Sequence, residues 1–352
     1  MALKIGIIGN GGIANSHMHG YIQLGNRVEV VACCDINFEK AKQFGERYGI
    51  KNVYDNCYDM LKNNELDAVS VCTWNAAHCE CTVAALEAGC NVLCEKPMAM
   101  NAEEAKKMQA AAEKAGKLLM LGFVRRQGDD ARKALELSKN GTLGDVYFVK
   151  ATYLRRCGFP GGWFGNKALS GGGPLIDLGV HVIDLARYIM GCPNPVSVYG
   201  ATFNKLGARD DINNGGGWQS ETVVDKPVFN VEDLAVAMIR FDNGAVLEVE
   251  TSFNLNLKNE VGNVEVFGSK AGFNFNDFEL YTVKDNELAD VKLYGKHNFE
   301  FQPDFDREIA NFVDSVEGKA ECMAPAKDGV ALMKILDAVY LSAKTGKSVD
   351  ID

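Results

Sequence analysis

A glycine-rich turn near the start of the chain constrains its fold more than any other feature. The turn follows the pattern G-x-G-x-x-A and consists of Gly9, Asn10, Gly11, Gly12, Ile13 and Ala14. A β-rich run, residues 4–9, leads into it, and a helical stretch begins at about residue 13. In this context Gly9 permits a tight turn, Gly11 lets the backbone approach a pyrophosphate, and Ala14 allows close helix–strand packing. The sequence therefore predicts a dinucleotide site at the N-terminal amides of the first helix.

An acidic residue ends the next predicted strand, Val28–Cys34, and suggests which dinucleotide binds. Asp35 stands where an acid commonly binds the adenosine ribose hydroxyls, and its carboxylate would repel a 2′-phosphate. The following residues, Ile36 and Asn37, supply no arginine for such a phosphate. This pattern predicts NAD as the cofactor, and the alternative is a glycine-rich loop that binds no nucleotide.

The rhythm of strands and helices divides the chain into two predicted domains. Residues 1–122 alternate short strands and helices, which predicts an α/β Rossmann domain with a doubly wound parallel sheet that binds NAD. Residues 123–352 carry longer strands and two closing helices, 304–316 and 328–343. This part predicts an α+β domain with a large, mainly antiparallel, open-faced sheet for substrate binding and oligomerisation. A polar stretch, residues 205–230, predicts a long surface loop, a lid or a subunit contact.

Composition excludes several classes of function. The net charge is −10 without a basic stripe, which argues against a nucleic-acid partner. We find no apolar run long enough to span a membrane, and no signal-peptide pattern at the N-terminus. The 11 cysteines include no Cys-x-x-Cys pair, so we expect no metal site and buried thiols in a reducing compartment. Because no signal-peptide pattern is found, we also expect a cytoplasmic protein.

Two further groups of polar residues are candidates for chemistry. Lys96, within Glu95-Lys96-Pro97, follows the predicted fifth strand, where ligands of a doubly wound sheet bind. Taken alone, such a lysine is usually a solvated surface residue, but Pro97 fixes the local backbone and favours a functional role. Asp177, His181 and Asp184 are spaced to share one face of a helix, as an oriented general base requires. The spacing alone is equally compatible with a solvated face.

Taken together, these motifs resemble the Gfo/Idh/MocA oxidoreductases over nearly the whole chain. The matching segments include Gly9–Ala14, His17, Asp35, Thr73-x-Asn75-x-x-His78, Glu95-Lys96-Pro97, Asp177-x-Gly179-x-His181-x-x-Asp184, Val231–Asp233, Asn243–Gly244 and Gly268–Gly272. From this resemblance we expect further cofactor contacts, made by Thr73, Trp74, Asn75, His78, Glu95 and Lys96. One departure is Trp74, where the family usually has proline, and it leaves the local cofactor contacts open.

The resemblance implies an NAD-dependent dehydrogenase that oxidises a secondary alcohol of a sugar, polyol or glycoside, such as the 3-hydroxyl of a hexopyranoside. His181 is then the expected general base, because histidine titrates near neutral pH. Asp177 would orient the imidazole or hold the substrate, and Lys96 would stabilise charge on the reacting oxygen. Lys96 is also an alternative proton-transfer group, and the sequence does not separate the two assignments.

Polar and aromatic side chains of the second part are candidates for holding a carbohydrate. We expect substrate contacts from Arg125, Tyr153, Arg155, Trp163 and Asn166, in addition to Asp177 and His181. The resemblance also implies a homodimer or homotetramer. Three alternatives stay open: an NAD-dependent glycosidase with transient redox chemistry, a non-catalytic NAD-sensing regulator, and a biosynthetic reductase.

Overall fold

In the computed structural model the chain forms two compact units. Residues 2–209, 211–212, 218–220, 228–295 and 298–352 are described. The first unit comprises Met1–Gln127 and Glu300–Met333, and the second comprises Gly128–Phe299 and Lys334–Asp352. The ten α-helices of the described ranges are α1 (Gly12–Gln23), α2 (Phe38–Tyr48), α3 (Cys57–Asn63), α4 (Asn75–Glu87), α5 (Ala102–Ala115), α6 (Asp129–Lys139), α7 (Lys167–Ser170), α8 (Val180–Ile189), α9 (Phe301–Val316) and α10 (Ala326–Thr345).

The first unit is built on a six-stranded parallel sheet. Its strands are β1 (Leu3–Ile8), β2 (Val28–Cys34), β3 (Asn52–Tyr54), β4 (Ala68–Val71), β5 (Asn91–Glu95) and β6 (Leu119–Gly122). They lie in the order β3-β2-β1-β4-β5-β6, and every pair is parallel. This confirms the predicted doubly wound sheet. The order reverses between β1 and β4, so the carboxyl ends of these two strands border the crevice where such sheets bind ligands.

Local sequence signals account for the helix boundaries in this unit. The side chain of Asn37 accepts a hydrogen bond from Lys40 N at 3.2 Å and begins α2. Asn101 accepts one from Glu104 N at 2.9 Å and begins α5. Helix α2 ends at Gly49, whose φ of 72° suits a residue without a Cβ. These caps satisfy amides that the helices cannot pair internally.

A distant segment, Glu300–Met333, completes the first unit. Helix α9 packs against α1, and Leu121 N donates a hydrogen bond to the carbonyl of Ala324 at 2.9 Å beside β6. Arg126 donates to the carbonyl of Met323 at 2.7 Å and to Asp328 Oδ2 at 2.8 Å. The predicted division after residue 122 instead groups this segment with the second domain. The difference arises because these bonds are long-range, and helix periodicity carries no information about them.

The second unit is built on a nine-stranded sheet. Its strands are β7 (Val146–Leu154), β8 (Pro195–Phe203), β9 (Leu234–Phe241), β10 (Val246–Ser252), β11 (Val261–Gly268), β12 (Ala271–Asn274), β13 (Glu279–Lys284), β14 (Glu287–Lys292) and β15 (Val349–Asp350). They lie in the order β14-β13-β12-β11-β7-β10-β9-β8-β15. Strands β7 and β10 run parallel and the other pairs are antiparallel. The predicted, mainly antiparallel sheet is therefore confirmed.

The two faces of this sheet differ in what covers them. Helix α8 packs against β7 and β11 on one face. On β9 the alternate residues Ala235, Ala237 and Ile239 are buried, whereas Met238 between them is 44% exposed. Met238 pairs in register with Tyr199 of β8, which is 55% exposed. Alternating strand residues thus leave apolar side chains on the second face, as the predicted open-faced sheet requires.

Two general expectations can be compared with the described residues. None of their helices is long and apolar enough to cross a lipid bilayer. All 11 cysteines lie in the described ranges and form no disulfide.

The predicted loop, residues 205–230, begins in an ordered turn, since Asp233 Oδ2 accepts hydrogen bonds from Lys205 N at 2.7 Å and Gly207 N at 3.0 Å. Its three glycines, 215–217, fall outside the described residues, so a lid or subunit contact there stays a prediction.

Candidate active site

The glycine-rich turn joins the carboxyl end of β1 to α1. Gly9 has a φ of 85°, and a Cβ at this position would lie 2.7 Å from the carbonyl oxygen of Cys72. Its own N–H donates to the carbonyl of Cys34 at 2.8 Å. Ala14 is fully buried between helix and sheet. The turn is therefore held by neighbouring backbone on both sides, and only glycine fits its first position.

Helix α1 begins at Gly12 with amides available for an anion. Its N-cap, Gly11, provides no side-chain hydrogen bond to the first turn. The side chain of Asn10 is 4% exposed, and neither of its polar atoms has a hydrogen-bond partner among the described residues. Unpaired buried amides are costly, so this group fits a site that a polar ligand completes. The donor amides and the positive end of the helix dipole fit a pyrophosphate.

The carboxylate of Asp35 is tied to the same turn. Its Oδ2 accepts a hydrogen bond from Asn10 N at 2.8 Å, and its Oδ1 accepts one from Asn37 N at 2.9 Å. Each carboxylate oxygen can accept more than one bond, so both can still receive hydroxyl donors. The residue is partly exposed at the end of β2, as an acid that receives a ribose would have to be.

One cation near the turn was not recognised from the sequence. Lys40 Nζ lies 3.7 Å from the position that a Cβ would occupy at Gly11. This lysine is in the first turn of α2, and its sequence position resembles that of any solvated helix residue. A signal could have come from helix geometry, because α2 starts directly after Asp35 and its first turn must lie close to the glycine-rich turn.

The Glu95-Lys96-Pro97 segment leaves the end of β5 through a cis Lys96–Pro97 peptide bond. His78 of α4 is fully buried, and its Nδ1 lies 2.7 Å from the carbonyl oxygen of Pro97. Its Nε2 lies 3.1 Å from the carbonyl of Thr73. Burial lowers the pKa of His78, so the ring is neutral and carries one N–H. We place this hydrogen on Nδ1, whose contact is shorter, and His78 thus holds the Lys96 turn.

The predicted residues at the end of β4 lie directly before and within α4. Trp74 is the N-cap of α4 with extended backbone, and it makes no side-chain cap. Thr73 Oγ1 donates to the carbonyl of Trp74 at 3.1 Å. Asn75 begins the helix and is buried. The tryptophan that replaces the usual proline therefore keeps the chain extended into the helix, and cofactor contacts from these residues stay a prediction.

Glu95 lies in a buried hydrogen-bond chain behind Lys96. Its Oε1 is 2.9 Å from His17 Nε2, and its Oε2 accepts from Lys96 N at 3.1 Å. His17 Nδ1 lies 3.1 Å from Ser70 Oγ, which in turn is 2.8 Å from the hydroxyl of Tyr21. Burial opposes the charge on Glu95, but the hydrogen bond from His17 and the charge of Lys96 outweigh it and lower the pKa of Glu95. Glu95 is thus held as a carboxylate.

Asp177 and His181 belong to the second unit. Asp177 lies in a π-helical turn, Leu175–Gly179, and His181 lies in the first turn of α8. Both side chains are partly exposed, whereas Asp184 is 1% exposed. The alternative of a solvated face is therefore wrong for Asp184. Such π turns occur mostly as single-turn bulges in α-helices, and they are frequent at functional sites.

Glycines before this turn are closely packed against a buried carboxylate. A Cβ at Gly173 would collide with the carbonyl oxygen of Glu232. Glu232 Oε1 accepts hydrogen bonds from Tyr340 Oη at 2.9 Å and from Leu175 N at 3.3 Å. Burial raises the pKa of Glu232. Glu232 thus anchors the start of the helical segment that carries Asp177, a role that its sequence motif alone did not indicate.

The predicted carbohydrate contacts form two groups in the second unit. Arg155 Nη2 donates to the hydroxyl of Tyr153 at 3.2 Å, and its guanidinium lies 5.1 Å from the centre of the Tyr153 ring. Trp163 stacks on Phe164 with ring centres 4.0 Å apart, and Phe164 meets Trp218 edge-on at 5.6 Å. Trp218 was missed in the sequence because it is isolated in a polar stretch, yet it is 59% exposed.

The two remaining candidates for carbohydrate contacts are Asn166 and Arg125. Asn166 caps α7, its Oδ1 accepting from Ala168 N at 3.1 Å, which leaves its amide nitrogen as the group that could reach a ligand. Arg125 belongs to the first unit, in the turn Val124–Gln127, and is partly exposed. Of the predicted residues, the structure therefore brings Gly9, Gly11 and Asp35 together in one unit, and Asp177 and His181 together in the other.

Comparisons with known proteins cover both parts of the chain. The profile described as an oxidoreductase family with an NAD-binding Rossmann fold matches residues 3–123. The profile described as the GFO/IDH/MocA C-terminal domain matches residues 131–274. The sequence is 38% identical over 359 aligned residues to D-glucoside 3-dehydrogenase of Escherichia coli K12, covering 99% of this chain and 97% of the relative.

A more distant relative matches most of the chain in sequence and all of it in fold. Levoglucosan dehydrogenase of Pseudarthrobacter phenanthrenivorans is 29% identical over 291 residues, covering 78% of this chain and 73% of the relative. A solved structure of levoglucosan dehydrogenase, in complex with NADH and levoglucosan, superposes with a TM-score of 0.83 at 25% identity. This superposition covers 100% of both chains.

Proposed function

The chain belongs to the Gfo/Idh/MocA family of NAD-dependent oxidoreductases, and from this premise we propose that it oxidises the 3-hydroxyl of a glucoside to a ketone. The observation that carries this proposal is the 38% identity to D-glucoside 3-dehydrogenase along 99% of the chain. Its relatives carry the names of sugar and polyol dehydrogenases. They favour a dehydrogenase over a glycosidase with transient redox chemistry, a regulator or a biosynthetic reductase.

We propose that residues 1–122 bind NAD and residues 123–352 bind the sugar. Bound NAD supplies the hydride acceptor. The amides of the glycine-rich turn and the orphaned Asn10 side chain would hold the pyrophosphate, assisted by the charge of Lys40. Asp35 would accept hydrogen bonds from the adenosine ribose. The further proposed cofactor contacts are Gly9, Gly11, Gly12, Ile13, Ala14, Thr73, Trp74, Asn75, His78, Glu95 and Lys96.

In this reaction the chain's own residues would move one proton and stabilise negative charge on one oxygen. His181 would take the proton of the sugar hydroxyl, and Asp177 would orient its imidazole or hold the sugar. Lys96 would donate a hydrogen bond to the same oxygen and stabilise its developing negative charge. Lys96 as the proton acceptor is the alternative assignment.

The sugar ring would be held by polar and aromatic side chains. The proposed contacts are Arg125, Tyr153, Arg155, Trp163, Asn166, Asp177 and His181, with Trp218 added from the structure. An aromatic face suits the apolar C–H surface of a pyranose, and the Tyr153–Arg155 pair presents fixed donors. An apolar aglycone would meet the Trp163–Phe164–Trp218 group.

We also propose that the protein is a cytoplasmic homodimer or homotetramer. The exposed face of the nine-stranded sheet carries Tyr199 and Met238, which pair in register, and exposed apolar surface commonly marks an interface. Light scattering after size-exclusion chromatography measures the oligomer. Eight buried cysteines without a disulfide are consistent with a reducing compartment.

Formation of NADH tests the proposed activity. Purified protein is incubated with NAD and a panel of methyl glucosides, free hexoses and inositols, and absorbance of NADH is followed. We expect a rise with glucosides that falls about 10²–10⁴-fold in His181→Ala and Lys96→Met, with NAD binding retained. The matched control is Lys106→Met on the exposed face of α5. Release of free sugar without net NADH would contradict the dehydrogenase and support the glycosidase.

A further inference from the structure

A second carboxylate lies behind Lys96, and the proposed reaction does not use it. Glu308 of α9 is fully buried, and neither of its carboxyl oxygens has a hydrogen-bond partner among the described residues. One of these oxygens, an oxygen of Glu95 and a ring nitrogen of His17 all lie within 4.8 Å of one another. We name these three residues the Glu308 cluster. It belongs entirely to the first unit.

The hydrogen bonds of His17 lead to Glu95 and to Ser70, and none of them reaches Glu308. The 2.9 Å contact between Nε2 and the Glu95 carboxylate places a hydrogen on Nε2. On the other side of the ring, Nδ1 lies 3.1 Å from Ser70 Oγ, which in turn is 2.8 Å from the Tyr21 hydroxyl. Both ring nitrogens of His17 are therefore engaged, and neither forms a hydrogen bond with Glu308.

The remaining surroundings of Glu308 also favour a neutral carboxyl. The titratable and charged groups on the elements packed around it are His17 and Tyr21 of α1, Cys72 after β4, Glu95 of β5, Asp304 and Arg307 of α9, and Arg125 and Arg126 of the turn Val124–Gln127. Among these cations, Arg126 bonds Asp328 and Arg307 bonds Asp304. No described cation donates a hydrogen bond to Glu308.

Two buried carboxylates this close cannot both ionise at low cost. Glu95 is stabilised as the anion by His17 and by the Lys96 backbone N–H. Glu308 has neither contact, and burial together with the charges of Glu95 and Asp304 raises its pKa. The retained proton thus belongs mainly to Glu308.

We propose that Glu308 keeps its proton at neutral pH and that the Glu308 cluster is a positioning device, which holds one fixed negative charge, on Glu95, directly behind Lys96. Glu95 then has two functions: it accepts a hydrogen bond from the Lys96 backbone N–H, and its negative charge attracts the positive charge of Lys96. His17 and Glu308 act through Glu95 and touch no substrate. The role for Lys96 rests on the proposed function, whereas the proton on Glu308 does not.

The proton on Glu308 predicts how stability changes with pH. Glu308 would stay protonated in the folded protein, whereas a glutamate of the unfolded chain ionises at about pH 4.3. The free energy of unfolding should therefore decrease as pH rises above about 4.3. Glu308→Gln mimics the protonated group and removes this dependence. We expect equal melting temperatures near pH 4.5 and a melting temperature several degrees higher for Glu308→Gln at pH 8. The control is Glu321→Gln, an exposed acid of the same unit, for which the difference should not vary with pH.

An infrared difference spectrum tests the same proton directly. The carbonyl stretch of a protonated carboxyl should be present in the wild-type protein at pH 7.5 and absent in Glu308→Gln. Lower stability of Glu308→Gln at every pH without that band would overturn the proposal, because it would show an ionised Glu308. A stoichiometric divalent metal ion, detected by elemental analysis and lost in Glu308→Gln, would also overturn it, since a bound cation requires both carboxylates ionised.

The pH dependence of the reaction tests the positioning role. Removal of the fixed charge in Glu95→Gln should move the alkaline limb of the kcat/KM profile to lower pH, because one negative charge close to the reacting groups is lost. Glu308→Gln keeps the cluster charge and should leave that limb in place. An unchanged profile in Glu95→Gln would overturn the positioning role. If no dehydrogenase activity exists at all, the stability and infrared results still decide the state of Glu308.

Discussion

Asp35 accepts a hydrogen bond from the backbone N–H of Asn10 at 2.8 Å, which connects the end of β2 with the glycine-rich turn after β1. The same carboxylate is the proposed ribose acceptor. Asp35→Ala should therefore weaken NAD binding by ~10- to 100-fold, the effect of about 1.5–3 kcal/mol for bonds to a charged group. Titration calorimetry measures the change. Glu46→Ala on the exposed side of α2 removes the same charge and should bind NAD normally; equal weakening in both variants would contradict the assignment.

His78 should make the fold sensitive to mild acid. Because burial lowers its pKa below that of the unfolded chain, the folded protein binds fewer protons, and stability falls as pH drops below ~6.5. His78→Gln keeps a donor for the Pro97 carbonyl and cannot titrate. We expect this variant to lose less melting temperature between pH 7.5 and pH 5.5 than the wild type does. His19→Gln, a partly exposed histidine, is the control, and an unchanged pH slope in His78→Gln would refute the prediction.

Arg126 and Asp328 form a buried ion pair, with Arg126 1% exposed and the two charges 2.8 Å apart. Arg126→Met leaves the Asp328 carboxylate without this partner and should cost about 3–5 kcal/mol of unfolding free energy. The double variant Arg126→Met/Asp328→Leu should recover much of that loss, because no unpaired charge stays buried. Urea unfolding measures both. Additive losses in the double variant would show that the pair is not the source of the effect.

Trp218 should affect the sugar and not the nucleotide. Trp218→Ala removes the exposed ring that meets Phe164 edge-on, and we expect KM for an aryl glucoside to rise ~5- to 30-fold, about 1–2 kcal/mol, with NAD affinity unchanged. Steady-state NADH formation with aryl and methyl glucosides measures this. Tyr294→Ala removes another highly exposed ring of the second unit as the control. A larger loss for methyl than for aryl glucosides would speak against an aglycone platform.

The sequence predicts the first unit well wherever the signal is local. Strand β2 has the predicted bounds, because the polar Asp35 directly follows its apolar run. Strand β3 has three residues and half-exposed side chains, so it leaves no periodic pattern. In the second unit, β13 and β14 carry mostly exposed residues and resemble loops, in contrast to β9 with its alternately buried residues.

The candidate site was predictable as motifs but not as contacts. The glycine-rich turn, Asp35 and Lys96 each lie at the end of a strand, which the sequence reveals through apolar runs followed by polar residues. The partners of Glu95 were not predictable, because His17 and Glu308 approach it from segments far apart in the chain. Motif spacing shows which residues follow a strand, whereas the contacts between side chains from distant segments are seen only in the folded structure.

The late position of α9 has a consequence for biosynthesis. Ribosomes release the N-terminal segment first, but the helix that packs on α1 is translated only after residue 300. Until then, the apolar face of α1 and the residues of β6 that meet Ala324 lack their native cover. We expect the nascent nucleotide-binding half to stay incompletely folded, and accessible to chaperones and proteases, until the segment that contains α9 has left the ribosome.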